Sequence, residues 1–229
     1  MQTRVARIYE YGNPDVIKIE TESVPSPGPG EVLIEQTACA IHLADSYMRQ
    51  GRYFLKPPLP NVLGLEGVGT VISTGANVED FKTGDRVAYL FNLGAYADKR
   101  IIPANQLYKP PAELESETIV ATFVRALTAQ YLIRRLYPIK PGETILIHSA
   151  AGGMGSILSQ WANNIGAKVI GTVSSPDKFI TAENNGCEHV INYIKEDFSE
   201  AVLDITNGKG VPVVFDAVGA DTYKGNIAS

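Results

Sequence analysis

The sequence predicts an α/β protein in two parts, a β-rich first part followed by a doubly wound parallel sheet. Three observations carry this. Up to about residue 110, short apolar runs alternate with turns rich in glycine and proline, the spacing of a partly open β-barrel. From residue 114 the apolar positions recur at helical intervals. Beyond residue 142, strand-like and helix-like segments alternate, with Gly166, Gly186 and Gly208 at the expected helix ends, the pattern of parallel strands joined by crossover helices.

In chain order, residues 4–9 and 16–20 flank the turn Gly12-Asn13-Pro14 and read as strand, turn and strand. Ser26-Pro27-Gly28-Pro29-Gly30 is a loop, and 32–40 resumes as a strand. Residues 43–50 suit a short helix stopped by Gly51. The stretch 55–60 carries three prolines and is expected as an irregular surface segment. Further strands are expected at 68–73, 86–91 and 96–102, and a helix over 114–137. Strands then follow at 144–148, 168–173, 189–193 and 212–216, separated by helices near 154–165, 177–185 and 196–207. The change of period divides the chain into domains at 1–123 and 124–229.

The first junction of the second part points to a ligand. A strand ending at His148 turns through Ala150-Ala151-Gly152-Gly153-Met154-Gly155 into an amphipathic helix. Glycine lacks Cβ, so backbone can approach a pyrophosphate and the helix can pack closely on the strand. The helix N-terminus offers unpaired N–H groups and a partial positive charge to the same anion. A strand before, a helix after and a second strand at 168–173 supply the βαβ context that a dinucleotide site requires; a plain βα turn is the competing reading. An NAD site usually places an acid at the end of the second strand to hold the ribose diol. Here Ser174-Ser175-Pro176-Asp177-Lys178 stands instead. The serines can donate to a 2′-phosphate and Lys178 can supply charge, which selects NADPH over NADH. Asp177 follows Pro176 and reads as a first-turn acid of the next helix. Lys178 as a solvated helix lysine and the serines as caps are the alternative.

Composition narrows the function classes. Twenty basic against 25 acidic residues give a net charge of −5 with no basic run, so neither nucleic acid nor an anionic membrane surface is an expected partner. No stretch approaches the roughly 20 apolar residues of a membrane span, and MQTRVARIYEYG has no apolar core of a signal peptide. Cys39 and Cys187 fall in different predicted domains, which fits a reducing cytoplasm better than a disulfide framework. With His42, His148 and His189 they form no ligand-like spacing, so no metal site is expected.

The run Gly142-Glu143-x-x-Leu146-x-x-x-Ala150-Ala151-Gly152-Gly153-x-Gly155-x-x-x-x-Gln160 resembles the signature of the zinc-independent quinone oxidoreductases, the zeta-crystallin branch of the medium-chain dehydrogenase/reductase superfamily. Gly64-Leu65-Glu66-Gly67-Val68-Gly69, Gly84-Asp85-Arg86-Val87, Ala126-Leu127-Thr128-Ala129-x-Tyr131 and Val190-Ile191-Asn192-Tyr193 extend the likeness over essentially the whole chain. Asn163 stands where a basic residue is more usual. The resemblance implies a GroES-like β-barrel domain followed by a Rossmann domain, with the active site in the cleft between them. Zinc-dependent members carry a histidine where Leu65 stands, a cysteine where His42 stands, and a four-cysteine lobe that is lacking here.

What the family does is hydride transfer from NADPH to a quinone or activated enone, without metal. By matching position, His42, Tyr47 and Tyr53 border the acceptor, and a tyrosine hydroxyl can stabilise developing enolate charge. His42 replaces an asparagine, so it is either a titratable group at the reaction or a core-edge histidine satisfied by backbone. The tyrosines are otherwise amphipathic residues at a domain interface. Thr128 and Tyr131, on one helix face, border the nicotinamide ribose and phosphates, or pack on the sheet. Tyr193 flanks the adenine-side ribose, while Val218 and Gly219 lie near the cofactor's middle, with Asp216 a possible strand-end cap. The cofactor-binding set is therefore Thr128, Tyr131, Ala151, Gly152, Gly153, Met154, Gly155, Ser174, Ser175, Lys178, Tyr193, Val218 and Gly219. Four parallel strands are counted where the dinucleotide fold has six. The Rossmann domain is thus expected to be incomplete and the barrel to lack its return segment, with the homodimer of full-length relatives weakened or lost. A non-catalytic NADPH-binding or structural protein is the alternative function.

Overall fold

A computed structural model describes residues 1–54 and 56–229. Two compact units divide at Val124/Arg125. The first holds β1 (Gln2–Ile8), β2 (Ile17–Ser23), β3 (Glu31–Cys39), α1 (Leu43–Arg49), β4 (Asn61–Val62), β5 (Gly67–Thr74), β6 (Arg86–Tyr89) and β7 (Lys99–Pro103). Helix α2 (Ser116–Gln130) contains the boundary. The second unit continues with β8 (Thr144–Ile147), α3 (Gly153–Ile165), β9 (Lys168–Val173), α4 (Phe179–Asn184), β10 (Cys187–Asn192), α5 (Phe198–Ile205), β11 (Val214–Phe215) and α6 (Tyr223–Ala228).

The expected barrel is resolved into two sheets, in orders β2-β1-β4 and β6-β5-β3-β7. The strand expected at 96–102 begins only at Lys99, because residues 96–98 bond across to the other sheet. Tyr96 N–H donates to Leu63 O, Ala6 N–H to Tyr96 O and Asp98 N–H to Arg4 O, each within 3.0 Å. The four-stranded sheet closes over Val32, Ile34, Val71, Val87, Tyr89 and Ile102, all at most 1% exposed. Burial there raises the Tyr89 phenol to about 12. Within the proline stretch, Leu55 lies outside the described residues and 56–60 is irregular, as expected. Pro57, however, is buried and accepts a hydrogen bond from Tyr11 Oη at 2.7 Å, so the segment is not all surface.

The second unit has four parallel strands in the order β10-β9-β8-β11. A parallel sheet is covered on both faces, and β8 divides its side chains accordingly. Ile145 and Ile147 join Val169, Ala162 and Leu158 on one face. Leu146 joins Ile170, Ile191, Phe198 and Val202 on the other. Gly166 and Gly186 take left-handed φ values of 95° and 92° at the ends of their helices, as C′ glycines do. The expected 114–137 helix is not uniform, since α2 stops at Gln130 and Tyr131–Leu136 forms a π-helical turn. Among the described residues no helix is long and apolar enough to cross a membrane.

The tightest point of the second unit is the start of α3. A Cβ on Gly155 would come within 2.7 Å of Ala150 Cα and closer still to the Ser149 carbonyl oxygen. Gly155→Ala is therefore expected to lower unfolding stability by at least about 3 kcal/mol, the cost of forcing backbone apart in a packed core. Gly84→Ala, where φ is 91° but nothing lies within 4 Å, should cost only about 1 kcal/mol of backbone strain. Denaturant titration of the two variants measures the difference.

Candidate active site

Both turns of the predicted dinucleotide motif lie at the carboxyl edge of the parallel sheet. Ser149 adopts φ 52° after His148, and Gly152 caps α3 in an extended conformation. The Gly152 N–H donates to Ser149 O at 2.8 Å, and the first helical bond runs from Ser156 N–H to Gly152 O at 2.8 Å. Gly153, Met154 and Gly155 thus form the first turn of α3, whose N–H groups have no partner within the helix.

A cavity of about 230 Å³ opens beside this turn, lined by Ser149, Ala151, Gly152, Val173, Ser174, Lys178 and Tyr193. Five residues of the predicted set meet there from three separate segments. Lys178 Nζ donates to Ser174 Oγ at 3.0 Å, so the two groups expected at a 2′-phosphate are already adjacent. Among the described residues no carboxylate lines the cavity. Asp177 lies in the short 3-10 turn Pro176–Lys178, and a hydrogen bond from Ser175 is the main cause holding its carboxyl below the usual range. Ser175 therefore serves the turn and does not line the cavity.

Val218 and Gly219 lie in another turn at the same edge, after β11. Asp216 Oδ1 accepts from the N–H groups of Val218 at 2.6 Å and Gly219 at 3.1 Å, so Asp216 does cap the strand end. Burial opposes its ionisation, but donors from Thr222, Val218, Gly219 and Asn226 together hold its carboxyl below the usual range. Thr128 is half-buried near the end of α2, whereas Tyr131 is 56% exposed and opens the π-helical turn, so the regular spacing assumed for the two is interrupted. Sequence reasoning missed Arg125. A Cβ on Gly153 would approach its Nε to 2.8 Å, which sets a guanidinium at the start of α3.

In the first unit, His42 precedes α1, Tyr47 lies on that helix and Tyr53 shortly after it. Tyr53 N–H donates to Tyr47 O at 3.2 Å, and the Tyr53 ring tilts against Phe54 at 4.4 Å. The His42 side chain accepts from the Asp45 backbone N–H in the capping box that opens α1, and its ring also bonds to a carboxylate, with Nε2 2.7 Å from Glu66 Oε2. Glu66 is 1% exposed and also accepts from Val124 N–H at 3.1 Å. A buried carboxylate requires such partners, and Glu66 was legible only as part of a motif. Asp45 Oδ2 accepts from His42 N–H and from Tyr96 Oη, both at 2.8 Å. Burial, with Asp45 second, raises the Tyr96 phenol far above its ordinary value. Among the described residues no group of three or more His, Cys, Asp or Glu side chains could hold a metal ion. Glu66→Gln, which keeps an acceptor for Val124 N–H, should cost about 1 kcal/mol of stability, and Glu66→Ala about 3 kcal/mol. Thermal and denaturant unfolding of both variants compare them.

Residues 28–112 match the family described as alcohol dehydrogenase GroES-like domain, and residues 153–228 the family described as zinc-binding dehydrogenase. The chain is 43% identical to a 2-haloacrylate reductase of a Burkholderia species, covering 96% of this chain and 67% of that protein. It is 41% identical to quinone oxidoreductase 1 of Escherichia coli K12, covering 98% and 68%. Among solved structures, an Escherichia coli quinone oxidoreductase complexed with NADPH superposes with a TM-score of 0.93 at 40% identity, over 99% of this chain and 69% of that one. The chain thus spans about two thirds of the length of these relatives. With a GroES-like first unit, a Rossmann-type parallel sheet and identity of this extent, the chain belongs to the quinone oxidoreductases of the medium-chain dehydrogenase/reductase superfamily.

Proposed function

We propose that the chain is an NADPH-dependent reductase that delivers hydride to a quinone or an activated enone without a metal ion. The observation that carries this reading is the cavity at the carboxyl edge of the parallel sheet. Ser174, Lys178 and Tyr193 line it beside Gly152, with Lys178 Nζ on Ser174 Oγ and no acid among the lining residues. A phosphate-bearing ribose finds charge and donors there, and a bare ribose diol finds no carboxylate.

Bound NADPH supplies the hydride; the side chains bind, orient and manage the proton. Gly153, Met154 and Gly155 would offer the first-turn N–H groups of α3 to the pyrophosphate, while Ala151 and Gly152, whose own N–H is held by Ser149 O, shape the approach. Thr128, Tyr131, Val218 and Gly219 complete the proposed cofactor contacts, and Ser175 acts indirectly by engaging Asp177. Tyr47 and Tyr53 are assigned to the acceptor, where a phenol can donate to an oxygen that gains negative charge. His42 is assigned to proton supply, its Nε2 held by Glu66 at 2.7 Å. Leu65, 8% exposed beside Glu66, offers no metal ligand, and without a Lewis acid an alkoxide lacks the stabilisation that alcohol oxidation needs. A small-molecule acceptor, a cytoplasmic location and homodimeric assembly of a full-length protein complete the proposal. In this proposal residues 1–123 serve the acceptor and residues 124–229 the cofactor.

NADPH should bind at least tenfold more tightly than NADH, and Lys178→Ala should remove most of that difference, because a charge-assisted phosphate contact contributes about 1.5–3 kcal/mol. Fluorescence titration with both nucleotides measures it, and equal affinities in the unaltered chain would refute the cofactor assignment. Small quinones should be reduced with NADPH while ethanol is not oxidised with NADP, and zinc should remain substoichiometric after dialysis. Robust ethanol oxidation would overturn the metal-free reading.

A further inference from the structure

His148 follows β8 and is 2% exposed. Its Nδ1 lies 2.8 Å from Thr172 Oγ1 on β9, its Nε2 lies 2.7 Å from Asn226 Oδ1 on α6, and the Phe198 ring meets it edge-on at 4.8 Å. Asn226 Nδ2 donates to Asp216 Oδ2 at 2.7 Å, which fixes the amide's orientation. Asn226 Oδ1 must then accept from His148 Nε2–H, leaving Nδ1 to accept from the Thr172 hydroxyl in the neutral ring. Asp216 Oδ2 also accepts from Thr222 Oγ1 at 2.6 Å, and Oδ1 takes the N–H groups of Val218 and Gly219.

The two ends of this chain of bonds have a common address. His148 leads into the glycine turn and Asp216 into the Val218–Gly219 turn. Their strands, β8 and β11, are adjacent and parallel, with Leu146 opposite Val214 and Ile147 opposite Phe215. In an open parallel sheet, ligands sit just beyond such strand ends. We propose that His148, Asn226 and Asp216 are positioning residues, a hydrogen-bonded clasp that joins the two turns and holds Val218 and Gly219 in the conformation that receives the cofactor. The cofactor half of this inference rests on the NADPH reading above; the clasp itself rests on the distances alone.

One contact can be reversed in polarity without changing its shape. Asp216→Asn or Asn226→Asp alone faces two like groups across the 2.7 Å contact, amide against amide or carboxylate against carboxylate. In the Asp216→Asn/Asn226→Asp double variant, the new amide donates to the new carboxylate. That carboxylate's other oxygen still accepts from His148, the Thr222 hydroxyl turns from donor to acceptor, and the amide oxygen still accepts from Val218 and Gly219.

Each single variant should weaken NADPH binding at least tenfold, and the double variant should return it to within about threefold of the unaltered chain. Amide hydrogen exchange at Val218 and Gly219, read by NMR without nucleotide, should quicken in the singles and slow again in the double. A role confined to general stability would move the melting temperature while leaving NADPH affinity unchanged. Singles that bind NADPH as the unaltered chain does, or a double no better than the singles, would overturn the proposal. If the unaltered chain fails to bind NADPH, the cofactor reading falls separately and amide exchange alone judges the clasp. Protection lost in the singles and regained in the double would support it, and equal protection in all four proteins would refute it.

Discussion

The close approach of the start of α3 to the end of β8 is the constraint on which the second unit depends. No side chain fits between Gly155 and the Ser149–Ala150 backbone, so the helix can sit down on the sheet only where glycine stands. The demand for small residues spreads outward. Ala150 is fully buried, and a Cβ on Gly171 of β9 would meet both Ala150 Cβ and Cys187 Sγ, within 2.7 Å. Small residues from β9, β10 and the turn after β8 thus meet at one spot, and the first turn of α3 comes down to the edge where an anion can reach its N–H groups.

Around that edge the chain divides its labour. The sheet supplies a frame buried on both faces, and the turns supply polar chemistry. Lys178 and Arg125 bring cations, while Asp216, two residues before Val218, is occupied by donors from its own turn and from Asn226 on α6. Asp177 is likewise turned back on Ser175. In the first unit, Glu66 has the opposite situation, since it is buried and its charge is answered by His42 and a backbone N–H.

The parts legible in the sequence are those whose physics is local. The glycine turn, the helix-ending glycines and the replacement of an acid by Ser174 and Lys178 follow from backbone sterics and from residues a few positions apart. The alternation of strands and helices follows from side-chain period. What escaped depends on pairings across long separations. His148 meets Asn226 78 positions away and His42 meets Glu66 24 positions away; periodicity carries no information about either. The late start of β7 has the same origin, because 96–98 is drawn off by β1 and Leu63. The π-helical turn after α2 shares its composition with an ordinary helix, so a single extra residue per turn leaves no mark in the pattern.

The proposed cofactor contacts are divided among loops that do not share residues. In the proposed NADPH reading, the groups assigned to a phosphorylated ribose, Ser174 and Lys178, follow β9, whereas the glycine turn follows β8. The sheet beneath is indifferent to both. On that reading nucleotide preference can drift through changes in these loops without disturbing the hydrophobic layers, since loops tolerate substitution that packed interiors do not. The fold is conservative in its skeleton and evolvable at its rim, and a lineage can trade one reducing currency for another without rebuilding the domain.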